Sequence, residues 1–268
     1  MKATPRPTLR ARTVLCGALL SFVALASSAP AADGPVIPLP ADVAKDLELF
    51  GKGVVGKPVP AADLEDLQGW YLDHLGGNWK YKILSGDHEG KIRTETIKSI
   101  DSRAGQKAWR QTIGKEMAQY LQLQSDGSLG KYGEDDLSVG YGAHFHPGVF
   151  LPKGVKPGES KKFHTKVLAY KLGHPDETSY HGKMDTTLTY VGAYEVTTPA
   201  GTWPAVLIRG EFDVKIGPAK VKDVAYSFFA KDIGKVAEVE ALTVAALLVY
   251  HSKDKTAKVL AEKPVPLK

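Results

Sequence analysis

Cysteine is nearly absent from this sequence, since Cys16 is the only one among 268 residues. It lies in an apolar stretch near the N-terminus, and Thr13-Val14-Leu15 before it lacks the small residue that a lipid-acylation site needs next to its cysteine. Without that stretch the chain has no disulfide, no thiolate nucleophile and no cysteine-bound metal. A domain of this size buries enough apolar surface to fold without such links. A cysteine-free exported chain fits a Gram-negative periplasm better than a small disulfide-rich module.

An excess of one charge is also missing once the N-terminus is set aside. The formal net charge is +5, but Lys2, Arg6, Arg10 and Arg12 all lie in the first 31 residues. The rest of the chain carries 31 Lys and Arg against 30 Asp and Glu. A near-neutral surface of mixed signs lacks the basic face that a phosphate backbone requires. The sequence therefore excludes nucleic acid as a main partner.

The familiar catalytic motifs are absent as well. There is no Gly-x-Ser-x-Gly elbow, and the glycine spacing of residues 51–56 follows a helical pattern rather than a strand, so it does not predict a phosphate-binding loop. The carboxylates of residues 134–136 stand in a glycine-rich polar stretch, which is typical of a solvated loop. A Ser-His-acid triad stays open, because its members need not be close in sequence. The pattern favours a non-enzymatic protein.

The N-terminal 31 residues have the three parts of a secretory signal peptide. A positively charged start is followed by the apolar run Thr13–Ser27, and Ala29-Pro30-Ala31 offers small residues at a cleavage site. The apolar run is too short to span a bilayer comfortably. We expect cleavage near Ala31, a periplasmic or secreted protein, and no transmembrane anchor after cleavage.

The remaining chain divides into a helical segment and a β-domain. Residues 32–76 form a proline-rich leader with two predicted short helices, Ala41–Phe50 and Pro60–His74. Residues 77–268 form strand-like runs separated by turn clusters, which favours an antiparallel meander over alternating strands and helices. The run Val236–Tyr250 could be a helix or a strand, and its β-branched residues favour a strand. The predicted fold is mainly β: a half-open barrel or curved sheet with two N-terminal helices.

Two hairpins are well marked by their turn residues. Tyr194–Ile208 turns at Pro199-Ala200-Gly201, and Phe228–Val236 turns around Lys231–Gly234. These stretches, with Val149-Phe-Leu-Pro152, Lys156-Pro-Gly-Glu159 and Tyr190-Val-Gly192, resemble a group of poorly characterised periplasmic β-proteins with a Pro-Ala-Gly hairpin. That group is similar in fold to the LolA/LppX-type lipoprotein carriers. The resemblance covers about residues 140–240 and implies an unclosed barrel and an envelope location, with no catalytic residues.

A histidine pair is the sharpest candidate for metal chemistry. His144 and His146 lie in Gly142-Ala-His-Phe-His-Pro-Gly148, and on a strand they would share one face. Two imidazoles can bind Zn²⁺ or Cu²⁺ when a third histidine or a carboxylate completes the site. The alternative is that both are surface histidines in a sheet, because no stronger zinc motif is present.

Aromatic residues are the other candidate signal. In a half-open barrel they could line a cavity for an acyl chain or another apolar ligand, although the same residues would also fill an ordinary core. The predicted ligand-binding residues are Trp79, Tyr81, Phe145, Phe150, Tyr226 and Phe228.

These observations leave three functions open. The first is an exported non-enzymatic protein that binds or carries an apolar molecule, such as a lipid, or acts in envelope maintenance. The second is a metal-binding protein or metal-dependent enzyme that uses His144 and His146. The third is a structural or interaction module whose strand edges meet a partner.

Overall fold

The fold was obtained as a computed structural model, which describes residues 34–64, 70, 76–148, 151, 153–246 and 250–266. In these ranges the chain forms one short α-helix, α1 (Ala41–Leu47), a 3₁₀ turn, η1 (Glu48–Phe50), and thirteen strands. The strands are β1 (Val55–Val59), β2 (Gly77–Ser85), β3 (Ile92–Arg103), β4 (Gln106–Ile113), β5 (Met117–Leu123), β6 (Leu129–Asp136), β7 (Tyr141–His146), β8 (Ser160–Lys171), β9 (Thr178–Thr198), β10 (Gly201–Ile216), β11 (Ala219–Ala230), β12 (Gly234–Ala246) and β13 (Tyr250–Leu260).

Strands β2–β13 form a closed antiparallel barrel. Each strand pairs with the next in sequence, and β13 returns to pair with β2 through Lys258 opposite Ile83 and Leu260 opposite Tyr81. The class was predicted correctly as an antiparallel meander, but the half-open form is wrong. The strand that closes the barrel, β13, has a polar first half, Ser252–Thr256, and apolar alternation does not mark it as a strand.

The two predicted hairpin turns are confirmed. Strand β9 ends at Thr198 and β10 begins at Gly201, so Pro199 and Ala200 make the connection. Strand β11 ends at Ala230 and β12 begins at Gly234. The stretch from Val236 is a strand as far as Ala246, in agreement with its β-branched composition.

One of the two predicted helices is observed. The first covers Ala41–Phe50 as α1 and η1, as expected. The second was predicted over residues 60–74, of which 65–69 and 71–75 lie outside the described residues. Residues 60–64 are not helical, because the backbone of Leu64 bonds to another segment: its N–H donates to Val155 O at 3.1 Å, and Gly154 N–H donates to Leu64 O at 2.7 Å. The expectation of two helices is therefore wrong for the part described.

The helix packs against the outside of the barrel. Strand residues alternate between two faces, and the face that includes Tyr226 and Phe228 meets α1 and η1. The ring centroids of Phe50 and Phe228 lie 6.0 Å apart, and the Tyr226 hydroxyl donates to Asp46 Oδ2 at 2.8 Å. Val43 and Leu47 are buried in the same contact. The part of the outer face of β10–β13 beneath the helix is therefore apolar rather than solvated.

The opposite face of these strands is the barrel interior. Lys131 on β6 exerts a charge effect on Asp223 of β11 and Glu240 of β12, although β6 lies across the barrel from both. Charged side chains therefore share the interior. The arrangement on β12 reverses the usual one, with Ala237 and Val239 pointing outward beneath the helix and Glu240 pointing inward.

Candidate functional site

The barrel interior holds a buried ion network at the end where β2 begins. Lys258 Nζ lies 2.5 Å from Glu95 Oε1 and 2.8 Å from Glu238 Oε1, and Lys235 also pairs with Glu238. Gln111 Nε2 donates to Glu95 Oε2 at 2.8 Å. The exposed fractions of Lys258 and Glu95 are only 5% and 2%. Each charge is thus paired and hydrogen-bonded, as buried charges must be.

The network fixes the charge state of its members. Burial alone would raise the pKa of Glu238, but the charges of Lys235 and Lys258 outweigh it and hold that pKa well below its usual range. Burial alone would lower the pKa of Lys258, and the carboxylates of Glu238 and Glu95 instead raise it. Both groups are therefore ionised at neutral pH.

Two of the predicted ligand-binding residues, Trp79 and Tyr81, belong to this network. Trp79 Nε1 donates to Ile233 O and the Tyr81 hydroxyl donates to Lys235 O, both at 2.9 Å. Lys258 Nζ lies 4.9 Å from the centroid of the Tyr81 ring. The cavity beside them has a volume of about 10 Å³, which is room for one water molecule. These two aromatic side chains therefore close this end of the interior.

A second group of carboxylates lies further along the interior and has no matching cation. Burial, followed by the negative charges of Glu240 and Glu238, raises the pKa of Asp223 to about 8. Burial and the Glu238 charge likewise raise the pKa of Glu240. Lys131 opposes both shifts, but its amino group is paired with Glu134 at 2.9 Å. A hydrogen bond between the Asp223 and Glu240 side chains also contributes, and Asp223 is therefore largely protonated at neutral pH.

Two buried polar atoms on the inner face have no hydrogen-bond partner among the described residues. They are Asp223 Oδ1 and Thr186 Oγ1, and the Thr186 side chain is only 3% exposed. Strand pairing sets them on either side of Phe212, because Thr186 lies opposite Phe212 and Phe212 lies opposite Asp223. Buried polar groups are nearly always satisfied in native proteins. Two atoms without hydrogen bonds, aligned across three neighbouring strands, therefore point to a missing partner such as a ligand or water. We call the aligned residues Thr186, Phe212 and Asp223 the polar rung.

An apolar cluster adjoins this rung on the inner face. Phe145, Val167 and Met184 are buried there and pack with Phe212. Val214 and Ile216, also in the cluster, are only partly buried as β10 approaches its end at Ile216. The interior thus changes from an ion network to two unsatisfied polar atoms and then to this apolar cluster at the end of β10, which we name the mouth.

The remaining predicted aromatic residues are not brought together. Phe145 belongs to the apolar mouth, whereas Tyr226 and Phe228 lie on the outer face beneath α1. Phe150 lies outside the described residues. The predicted set is thus divided among the ion network, the mouth and the helix contact. A single cavity lined by all of them does not exist among the residues described.

The predicted histidine pair lies on the outer face of β7. The ring centroids of His144 and His146 are 6.5 Å apart, and His144 also packs on Tyr170 at 4.6 Å. His144 Nε2 lies 3.3 Å from Pro175 O. In the part of the chain that is described, no group of three His, Cys, Asp or Glu side chains is placed to hold a metal ion. Partial burial and the nearby charges of His144, Arg103 and Lys166 lower the pKa of His146, so it is neutral at neutral pH.

Sequence reasoning missed the inner polar residues, which are Glu95, Lys258, Glu238, Asp223, Glu240 and Thr186. The alternation Ala237-Glu-Val-Glu-Ala241 is visible in the sequence, but it normally marks a strand with its charges in solvent. The outer helix reverses that assignment here. The available signal was this alternation of charged and apolar residues, combined with a predicted helix that could cover the apolar face of the strand.

Comparisons with known proteins identify no family for this chain. No family model matches it, and no curated protein matches it. Two crystal structures have some likeness in fold. One, from Bacteroides fragilis, is described as an exported protein with a YmcC-like fold; it is 14% identical, covers 72% of this chain and 97% of its own, and has a TM-score of 0.43. The other, described as a lipoprotein from Parabacteroides distasonis, is 12% identical and has a TM-score of 0.33. The match covers 70% of this chain and 94% of that one.

Likenesses of this strength carry no argument about function. The expected similarity to LolA/LppX-type carriers is not confirmed, and the location of the chain still depends on its N-terminal sequence pattern. None of the helices in the described ranges is long and apolar enough to cross a membrane.

Proposed function

We propose that this chain is an exported, non-enzymatic binding protein that holds an apolar or amphiphilic molecule in the mouth of its barrel. The observation that carries the proposal is the unpartnered Thr186 Oγ1, buried beside Phe212 at the base of an apolar cluster. A ligand with an apolar body and one polar end would contact that cluster and supply the missing hydrogen bonds. Export is inferred from the N-terminal 31 residues.

The hydrogen-bonding groups of Asp223 and Thr186, at the inner end of the mouth, define the polar end of the ligand. The Asp223 carboxyl, with its pKa raised to about 8, is hydrogen-bonded to Glu240, which leaves its Oδ1 to accept a hydrogen bond, and Thr186 can donate or accept one. A hydroxyl group, which can both donate and accept, suits both partners. A free carboxylate suits them less, because Glu240 and Glu238 already crowd Asp223 with negative charge. The proposed ligand is therefore apolar with a neutral polar group.

Native mass spectrometry of the protein purified from its own periplasm, with lipid extraction, tests the proposal. A co-purifying apolar molecule near one per chain is the expected result. Titration with the neutral dye Nile red provides a second measurement. Met184→Trp fills the mouth and should weaken dye binding at least tenfold, whereas Thr187→Trp, on the outer face of the same strand, should leave it unchanged. An apo mass together with equal dye binding by both variants would refute a ligand in the mouth.

A further inference from the structure

Four lysines and one histidine form a single row across the outer wall of the barrel. His146 lies opposite Lys166, Lys166 opposite Lys183, Lys183 opposite Lys215 and Lys215 opposite Lys220. These residues belong to five adjacent strands, β7–β11. We name Lys166, Lys183, Lys215 and Lys220 the lysine row. With strands about 4.8 Å apart, the row sets four positive charges over about 14 Å.

The row is exposed and has no counter-charge of its own. All four lysines are solvent-exposed, and none of them forms a salt bridge with the residues described. Like charges directly opposite one another destabilise a sheet. The next row along the strands is balanced, because His164 Nδ1 lies 2.6 Å from Asp185 Oδ1 and Lys222 lies 3.9 Å from Asp213. The lysine row therefore differs from the row beside it, in which opposite charges are paired.

Asp185, a carboxylate beside the row, is already bonded to His164. The hydrogen bond from His164, with smaller effects of the Lys183 and Lys215 charges, lowers the pKa of Asp185. An open groove of about 430 Å³ lies beside the row; Lys166, Lys183 and His146 line it, together with the His164–Asp185 pair. A small anionic group such as a phosphate could enter this groove and contact two of the lysines.

The row reaches the rim of the barrel where the apolar mouth opens. Lys215 and Lys220 flank the β10–β11 turn, and Val214 and Ile216 of the mouth are their neighbours on β10. Apolar side chains are exposed at the same end: Tyr180, near the start of β9, is 42% exposed, and Leu137 and Val139 in the β6–β7 turn are 46% and 64% exposed. Positive charge and exposed apolar tips together are the combination that binds a lipid surface.

We propose that the lysine row and the mouth rim dock this protein on an anionic lipid bilayer. The lysines would contact headgroup phosphates, while Tyr180, Leu137 and Val139 would enter the headgroup region. An acidic protein or polymer would use the lysines but would leave the exposed apolar tips without a partner, so the bilayer fits the observations better. This surface lies outside the lumen and does not require the proposed ligand.

Vesicle co-sedimentation tests the proposal, using vesicles of equal parts phosphatidylglycerol and phosphatidylcholine, or phosphatidylcholine alone. We expect binding to the anionic vesicles only, weakened by added salt. A juxtamembrane lysine contributes a factor of about five in affinity. Replacing Lys166, Lys183 and Lys215 together by Gln should therefore weaken binding about a hundredfold. Tyr180→Ser should weaken it several-fold.

A matched triple variant separates the row from net charge. Lys80, Lys82 and Lys98 are exposed on the outer wall of β2 and β3, away from the row. Replacing these three by Gln removes the same charge and should leave most of the binding intact. Equal losses for the two triples, or no binding to anionic vesicles, would overturn the proposal. So would binding of heparin that depends on the row without any vesicle binding.

The lumen variant keeps this proposal distinct from the ligand proposal. Val167→Trp, a lumen substitution outside the groove beside the row, should bind vesicles like the wild type even though it weakens dye binding. Circular dichroism of each variant confirms that the barrel is folded. The two proposals can then fail separately.

Discussion

Lys258 is the residue on which the buried ion network depends. Its amino group neutralises both Glu95 and Glu238 in the interior, with distances of 2.5 Å and 2.8 Å. We expect Lys258→Met to lower the free energy of unfolding by about 3–5 kcal/mol, because it leaves buried carboxylates without a cation. Urea denaturation followed by tryptophan fluorescence measures the change.

An exposed salt bridge provides the control for that variant. Lys80 pairs with Glu262 at 2.7 Å, but their side chains are 48% and 52% exposed. We expect Lys80→Met to cost less than about 1 kcal/mol, since solvent screens the pair. Equal effects of the two lysine variants would show that burial of the network contributes nothing to stability.

Asp223 should make the stability of the protein dependent on pH. Its pKa is raised to about 8 in the folded state from 3.8, so the folded state binds the proton more tightly than the unfolded state. Stability contributed by this group is complete below the unfolded pKa and is lost as the pH rises towards 8. We expect Asp223→Asn to stabilise the protein by about 2 kcal/mol at high pH and to flatten the decline in unfolding midpoint between pH 5 and pH 9.

A second aspartate on the same hairpin tests whether this effect comes from burial. Asp213 lies on the outer wall near Lys222. The variant Asp213→Asn should leave the pH dependence as it is in the wild type. An unchanged slope in Asp223→Asn would contradict the raised pKa.

At the scale of the elements, the N-terminal helix acts as an outer cover for strands β10–β13. Phe50 ends that helical segment, is 5% exposed and packs on Phe228. We expect Phe50→Ala to cost about 3–5 kcal/mol, through lost burial and a cavity beneath the helix. Phe50→Leu retains most of the volume and should cost less than about 1.5 kcal/mol. Thermal unfolding compares the two, and equal losses would mean that packing at Phe50 is not responsible.

Elements with local signals were predictable from the sequence, and elements defined by distant pairing were not. The first helix and both hairpin turns follow from apolar spacing and turn residues close together in the chain. The helix predicted after Pro60 failed where Leu64 bonds to Val155, ninety-one residues away. Short-range periodicity contains no information about such a partner.

The candidate site was predictable only in its least specific part. Phe145 was expected to contact a ligand and does lie in the apolar mouth. Thr186 and Asp223 could not be selected as site residues from the sequence. They lie on either side of Phe212 only because three separate strands pair with each other. Likewise, the lysine row consists of residues up to 54 positions apart in sequence, between Lys166 and Lys220. The overall composition has nearly equal numbers of positive and negative residues, so it gives no sign of a row of lysines that forms only when the strands pair.

At the scale of the whole molecule, the seam between the first and last barrel strands decides whether the interior is enclosed. Only β13 and β2 form it, and their pairing includes Val259 opposite Lys82. In an open sheet the two edges would lie apart, the inner ions would meet water, and the paired state of Glu95 and Lys258 would contribute little. Closure also removes both free strand edges, which otherwise invite association with other chains.

A disulfide across the seam tests closure directly. Directly opposite residues of an antiparallel pair have Cα atoms about 4.5–5.5 Å apart, which a disulfide can span. In a background with Cys16→Ser, we expect Lys82→Cys with Val259→Cys to oxidise completely within one chain, as seen by mass spectrometry under denaturing conditions. The link closes a loop of about two thirds of the chain and should stabilise the protein by about 5 kcal/mol relative to its reduced form. Lys82→Cys with Asp213→Cys, on strands that are not neighbours, should stay reduced. Failure of the first pair to oxidise would show that the seam is open and that the interior network is exposed to solvent.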